Sequence, residues 1–357
     1  MPDSKTGQKG LEGSFCVKKG NLGGKPFVYS NLMPIQPPVV LTIAGFDPSS
    51  GAGLTADIKV IAAQDCYGVA CPTALTVQST QGVRRIEAVD TTIIAETLSE
   101  LASDFAIEAV HVGMLANAAV ARTVAAFLAQ ARVPHVVLDP ILKSSSGAEL
   151  LDSPGTQVLI ERLFRLAEVV TPNLDEALSL TGMSDVPPAE NPAPGTPAAS
   201  STAASLSAMR EAARRLHSLG AANIVVTGGH LEKAIDLLSF TTARGVEEEV
   251  FKAQRQRSSS THGTGCAFST ALACHLAHGR GLPEAVLLSK AYVSAAISNA
   301  QPLGHGAGPL QHLYRMYQQR RPSSIISETE HAHSRNKDDT QMEATNVGDF
   351  SRSGTKS

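Results

Sequence analysis

The chain has 357 residues, a formal net charge of −3, 43% hydrophobic and 4% aromatic residues, and no tryptophan. That balance excludes a global basic field for nucleic acid or an anionic membrane and leaves few aromatic faces for stacking single strands, while the apolar content suffices for a sizeable core. The five cysteines (Cys16, Cys66, Cys71, Cys266 and Cys274) are odd in number and contain no C-x-x-C pair, so they fit neither a disulfide framework nor a common zinc pattern and point to a reducing cytosol.

Residues 1–37, rich in Gly, Lys, Ser and Pro, read as a disordered extension. The start, Met1-Pro2-Asp3-Ser4-Lys5, has no secretory apolar core, and no run reaches the ~18 uncharged apolar residues of a membrane helix. A cytoplasmic protein is therefore expected. Val39 to Ala44 is an apolar run ended by Gly45, the profile of a buried strand. Leu54, Ile58, Ile61 and Ala62 recur at helical spacing and predict a helix over 53–64. Further strands are predicted over 69–77, 109–112, 136–138, 169–170 and 224–226, and helices over 91–103, 118–131, 175–180 and 203–219. The stretch 184–205 carries five prolines, the last Pro197, and reads as a surface loop. Segments 237–240 and 248–251 read as a hairpin, followed by helices from Gly265 and Pro283 and a disordered tail over 318–357.

Strands alternating with helices imply a mostly parallel sheet covered on both faces, in one α/β domain over 38–317. Ligands of such sheets bind beyond the carboxyl ends of the strands. Gly45-Phe46-Asp47, Gln78, Gly113-Met114, Asp139-Pro140, Asn173 and Gly228-Gly229 all fall there.

The most informative segment is Thr261-His262-Gly263-Thr264-Gly265-Cys266, leading into a helical run. The first turn of a helix has unpaired N–H groups and partial positive charge, and glycines let a phosphate come down onto them. A cysteine there is placed to become a thiolate and accept a hydroxyl proton. A plain Gly-rich turn with a small Cys explains the same letters. Asp57 reads as a solvated helix residue or as a ligand. Gln78, late in an apolar strand, offers a donor and an acceptor to a heterocycle or to loop backbone. Asn173 and Glu176 suit a helix cap and its dipole, or nucleotide phosphates and Mg²⁺ held through water, with Asp139 as a second carboxylate.

In this order on one chain, the segments TIAGFDPSSGAGLTADIK, TALTVQSTQGV, VGML, VLDPILKSSSGAELL, TPNLDEA, VVTGGH and STHGTGCAFSTALA resemble the hydroxymethylpyrimidine/phosphomethylpyrimidine kinases of thiamin biosynthesis. They span about Val39 to Tyr314. The resemblance implies a ribokinase-like three-layer α/β/α fold with a mostly parallel central sheet. It implies ATP and Mg²⁺, with phosphoryl transfer to 4-amino-5-hydroxymethyl-2-methylpyrimidine and then to its monophosphate. The aminopyrimidine is expected near Gly45, Asp57, Gln78 and Met114, and the ATP phosphates over Gly263, Gly265 and Cys266 with Thr261 and Thr264. Asn173, Thr227, Gly228 and Gly229 would line the nucleotide site, and Asp139 and Glu176 the outer shell of Mg²⁺. Thr227 stands where many relatives carry Lys, Lys143 where many are apolar, and Phe46 where Thr is frequent; Lys143 is expected to supply the charge absent at 227. A homodimer is expected. A pyridoxal/pyridoxine kinase and a catalytically weak pyrimidine-binding regulatory protein are the alternative readings.

Overall fold

The computed structural model describes residues 36–183, 198–229, 234–254, 256 and 258–319, with backbone alone over 198–203. Most of the extension expected over 1–37, of the loop over 184–205 and of the tail over 318–357 lies outside these residues.

The elements run β1 (Val39–Phe46), α1 (Gly53–Ala63), β2 (Tyr67–Ser79), β3 (Gly82–Ala88), α2 (Thr91–Asp104), β4 (Ile107–Val112), α3 (Ala118–Gln130) and β5 (His135–Leu138). Then come α4 (Ser153–Val158), a π-helical turn (Leu159–Leu163), α5 (Phe164–Leu166), β6 (Val169–Val170), α6 (Leu174–Leu180) and α7 (Ala198–Ser218). The described part closes with β7 (Asn223–Thr227), β8 (Ala234–Thr242), β9 (Gly245–Ala253), α8 (Thr264–Ala277), α9 (Leu282–Ser298) and α10 (Tyr314–Gln319).

Four elements depart from the sequence reading: β3, the helical segment Ser153–Leu166, the start of α7, and α10, an unpredicted helix that runs into the tail expected to be disordered from 318. The edge strand β3 has exposed Arg84, Arg85 and Glu87, and that charge hides its strand character while guarding an open sheet edge. Ser153–Leu166 is helical; Asp152 caps it by accepting from the Gly155 N–H at 2.7 Å, with Pro154 in the first turn. Helix α7 begins at Ala198, so 198–205 is helix rather than loop, because the Ala/Ser run after Pro197 contains nothing that forbids one.

The nine strands form one sheet in the order β3-β2-β1-β4-β5-β6-β7-β8-β9. The six from β2 to β7 are parallel, and β3, β8 and β9 pair antiparallel at the two edges. Alternation sorts side chains between two cores. Val39, Leu41 and Ile43 join the face covered by α2, α3 and α7, while Val40, Ala109 and Val137 face Phe268 and Leu272 of α8. From β1 the chain crosses to β2 on one side, whereas β4 leads to β5 on the other. The switch point therefore falls between β1 and β4, where a crevice opens at their carboxyl ends. Among the described residues no helix is long and apolar enough to cross a membrane.

Candidate active site

Helix α8 begins at this edge without a side-chain cap. Its N-cap, Gly263, has φ 82°, and a Cβ there would lie 2.0 Å from the carbonyl oxygen of Gly51. Only glycine fits this left-handed position, and the two glycine loops meet backbone to backbone. One residue into the helix, a Cβ on Gly265 would meet only Asp139 Oδ2, at 4.0 Å. The start of α8 thus keeps open amides and a positive dipole end, the requirements of an anion cradle. The helix is pinned from below: Ser269 Oγ donates to the Gly265 carbonyl at 3.1 Å and shares a 2.8 Å hydrogen bond with Thr171.

Asp57 lies beneath this surface, not on it. It is fully buried, accepting from Thr42 at 2.7 Å and from Thr270 at 2.8 Å, with His111 Nδ1 at 3.3 Å. Burial pulls His111 toward its neutral form, but Asp57 and then Asp139 outweigh it and hold its pKa above the usual range. His111 Nε2 is buried with no hydrogen-bond partner. The network joins β1, α1, β4 and α8, so Asp57 can reach a ligand only through the elements it positions.

The carboxylates above it are strained electrostatically. Burial pushes Asp139 up to about 6, with the Cys266 thiol and Ser269 hydroxyl facing it. Burial and then Asp139 push Glu176 up to about 8. Glu176 also closes a capping box: its Oε2 accepts from the Asn173 N–H, and Asn173 Oδ1 from the Glu176 N–H, both at 2.9 Å. The helix-capping role expected of this pair is therefore present.

Cys266 reverses the expectation of a thiolate. Burial first, then Asp139, Asp57 and Glu176, raise its pKa well above the ordinary thiol value. Burial and the surrounding negative charge together keep the proton on the sulfur. Among the described residues no three His, Cys, Asp or Glu side chains form a metal cage. A buried carboxylate, Asp139, and a half-buried one, Glu176, that repel each other still fit Mg²⁺, which takes one or two carboxylates and completes its shell with water and phosphate oxygens.

Toward the other side of the sheet, Asn173 bridges Thr227, whose N–H donates to the Pro172 carbonyl at 2.9 Å. The Gly228 N–H donates to Asp236 Oδ1 at 3.0 Å, and among the described residues nothing lies within 4 Å of a Cβ position on Gly229. Lys143 is exposed and pairs through its backbone with Glu149, one residue beyond Leu142, whose amide faces Glu176. Lys290, paired with Asp236, is a buried cation in this region that the sequence did not single out.

Toward β2, Gly45 packs against Met114: a Cβ would stand 2.7 Å from its sulfur. Thr73 holds the Met114 carbonyl. Gln78 lies at the same rim, its amide nitrogen 3.2 Å from His262 Nε2 and its amide oxygen accepting from Thr76 Oγ1 at 3.2 Å. His262 Nε2 also stands 2.9 Å from Asp47 Oδ2, and Asp47 further accepts from the amides of Ser49 and Ala52. Burial opposes ionisation of Asp47, but His262 and Ser49 overcome it and lower its pKa. The Gly304–Gly308 loop straps the two sides: Gly306 N–H donates to Thr80 Oγ1, and His262 N–H to the Gly308 carbonyl. Asp47 and His262 sit inside two quoted motifs, but their partnership spans 215 residues and left no mark on either.

The family model for phosphomethylpyrimidine kinase matches residues 47–311. The thiamine biosynthesis bifunctional protein ThiED of Geobacter sulfurreducens is 40% identical over 288 residues, 80% of this chain; the chain spans only 54% of that longer protein. The hydroxymethylpyrimidine/phosphomethylpyrimidine kinase of Streptomyces coelicolor is 36% identical over 280 residues, covering 78% of this chain and 96% of that one. Pyridoxal kinase of Bacillus subtilis, solved with ADP, superposes with a TM-score of 0.67 at 30% identity, over 79% of this chain and all of that one.

Proposed function

The chain belongs to the phosphomethylpyrimidine kinase family, and from that premise we propose that it moves phosphate from ATP to the hydroxymethyl group of 4-amino-5-hydroxymethyl-2-methylpyrimidine, and then to the resulting monophosphate, in thiamin biosynthesis. One observation carries the reading. The contact of Gly263 with Gly51 makes the open start of α8 continuous with the loop from β1, so a phosphate cradle adjoins the polar strand end at Gln78. Phosphoryl transfer needs little beyond positioning and charge stabilisation, and this surface offers both.

In this reading the kinase domain runs over 38–317. The amides of Gly263, Gly265 and Cys266, with the hydroxyls of Thr261 and Thr264, bind the phosphates. Asn173, Thr227, Gly228 and Gly229 line the nucleotide, and Lys143 stands at its rim. Gly45, Gln78 and Met114 hold the ring, and Asp57 positions α8 through Thr270. Asp139 and Glu176 would hold Mg²⁺, which when bound would screen the charge of the phosphates. In its thiolate form Cys266 accepts the proton of the attacking hydroxyl. The monophosphate attacks with an oxygen already ionised and needs no such base.

A homodimer in the cytoplasm belongs to the same proposal; exposed Leu75 and Val77, on one stretch of β2, suit a face covered by a second copy. A second reading, phosphorylation of pyridoxal or pyridoxine, draws on the likeness to the Bacillus subtilis enzyme. A coupled assay with ATP, Mg²⁺, the pyrimidine alcohol, its monophosphate and both vitamers tests the proposal. Turnover dependent on the pyrimidine supports it and excludes a binding-only role; turnover with vitamers alone overturns it.

A further inference from the structure

Three reactive side chains gather at the end of α8 opposite the cradle. Cys66 stands between α1 and β2, Cys274 lies in the last turn of α8, and His278 follows that helix as its C-cap. His278 Nε2 is 2.8 Å from the Gln64 carbonyl oxygen, which can only accept, so this nitrogen carries the hydrogen of that bond. The same nitrogen lies 3.3 Å from Cys66 Sγ and shares its hydrogen with the sulfur. As a thiol, Cys66 itself donates to the Gln64 carbonyl at 3.5 Å. The Cys274 thiol is a second donor to Cys66 Sγ. The Cys274 hydrogen bond first, and then His278, outweigh burial and Asp65 and lower the pKa of Cys66. Burial first, and then the Cys66 sulfur, keep the proton on Cys274. Burial also pushes Cys71 up to about 11 and Cys266 well above the ordinary thiol value. Exposure divides the pair further. Cys66 keeps 9% of its surface beside an exposed His278, so a small oxidant can reach this sulfur, whereas Cys274 keeps none.

We propose that Cys66 and Cys274 form a reversible redox site for hydroperoxides, in which Cys66 attacks the oxidant, His278 donates a hydrogen bond to the attacking sulfur, and Cys274 closes a disulfide. The proposal goes beyond the kinase reading and does not depend on it. In the first step the Cys66 sulfur takes one oxygen of ROOH. The S–O bond forms, the O–O bond breaks, and the alcohol leaves with the proton that Cys66 gave up. In the second step the Cys274 sulfur attacks the oxidised Cys66 sulfur. The S–S bond forms, the S–O bond breaks, and the hydroxide leaves as water with the Cys274 proton. The sulfur pair loses two electrons and the peroxide gains them. A dithiol reductant reverses the bond by exchange, so in a reducing compartment it is transient. While it lasts, it fastens the turn after α1 to the helix whose other end forms the cradle.

The test treats the folded wild-type chain with stoichiometric hydrogen peroxide, blocks the remaining thiols, digests without reduction and identifies linked peptides by mass spectrometry. The expected product is a peptide pair joined through Cys66 and Cys274, which dithiothreitol separates. In Cys274→Ser the second step is lost, and dimedone captures the sulfenic acid at Cys66. In Cys66→Ser the pair does not form. His278→Leu removes the N–H and slows bond formation by about tenfold or more. The proposal is overturned if Cys66 and Cys274 stay free in peroxide-treated wild type, or if the bond joins Cys66 to Cys16, Cys71 or Cys266. Dimedone on Cys266 but not on Cys66 in folded Cys274→Ser overturns it as well, as does a wild-type rate of oxidation in folded His278→Leu. The wild-type arm decides by itself should a variant not fold. No arm reads phosphoryl transfer, so failure here leaves the kinase reading standing, and failure of that reading leaves this result unchanged.

Discussion

Lys290 and Asp236 form an ion pair at 2.5 Å with side chains only 10% and 8% exposed, and the second oxygen of Asp236 takes the Gly228 N–H. The pair ties α9 to the turn after β7, so a buried charge holds a backbone amide of the proposed nucleotide site. Lys290→Met leaves Asp236 charged and unpaired, at a cost of about 3–5 kcal/mol. Urea denaturation of the ligand-free protein measures it. The KM for ATP rises in this variant while that for the pyrimidine stays near wild type; equal rises in both would remove the link to the nucleotide turn.

The two cradle glycines fail differently when given a methyl group. Gly263→Ala forces a non-glycine into φ 82° against the Gly51 carbonyl and lowers the melting temperature. Its kcat/KM for ATP drops by about 10²-fold as the amides move. Gly265→Ala meets nothing in the protein closer than 4.0 Å, so it melts normally but fills the space above the amides and raises the KM for ATP. Calorimetry and steady-state kinetics on both variants separate the two effects; a normal KM for ATP in Gly265→Ala argues against phosphates over the start of α8.

Cys266→Ala separates the two transfers. Loss of a general base slows the first by about 10²–10⁴-fold, and the second far less. Single-turnover rates with the alcohol and with the monophosphate measure the contrast. Equal losses assign Cys266 to packing.

The carboxylates set a pH dependence whose sign follows from their shifts. Glu176 stands near 8 when folded against an ordinary value of 4.5, so between these values the folded state binds the extra proton. Its contribution to stability is complete below about 4.5 and is lost as pH rises through about 8. Asp139, raised from 3.8 to about 6, acts in the same direction over a lower window. The ligand-free protein therefore loses stability from this pair as pH rises, whereas stabilisation by Mg²⁺ with ADP grows, because binding requires both carboxylates ionised. Glu176→Gln flattens both trends. Melting temperatures across this range with and without Mg²⁺ and ADP check it; a ligand shift independent of pH removes Glu176 from the metal.

Most of the fold was legible because its signals are local. Apolar runs marked β1 and its parallel partners, helical spacing marked α1, and Asn173 marked a helix cap, which forms as half of a reciprocal box with Glu176. The hidden elements were those whose local signal is mixed: β3 is charged because it guards an edge, and the Ser153–Leu166 segment starts with Pro and Gly in its first turn.

Amino-acid order by itself determined the alternation that builds a parallel sheet, the glycines without which the cradle cannot close, and the motifs that carry the family. Only the tertiary structure decided which polar groups face each other. It buried Asp57 under α8 by pairing it with Thr270, 213 residues away, turned Cys266 into a held thiol by taking it out of water and surrounding it with carboxylates, and joined Asp47 to His262 beside Gln78. Backbone periodicity and caps arise from neighbours along the chain, whereas burial, charge and hydrogen-bond direction depend on groups brought together from its two ends.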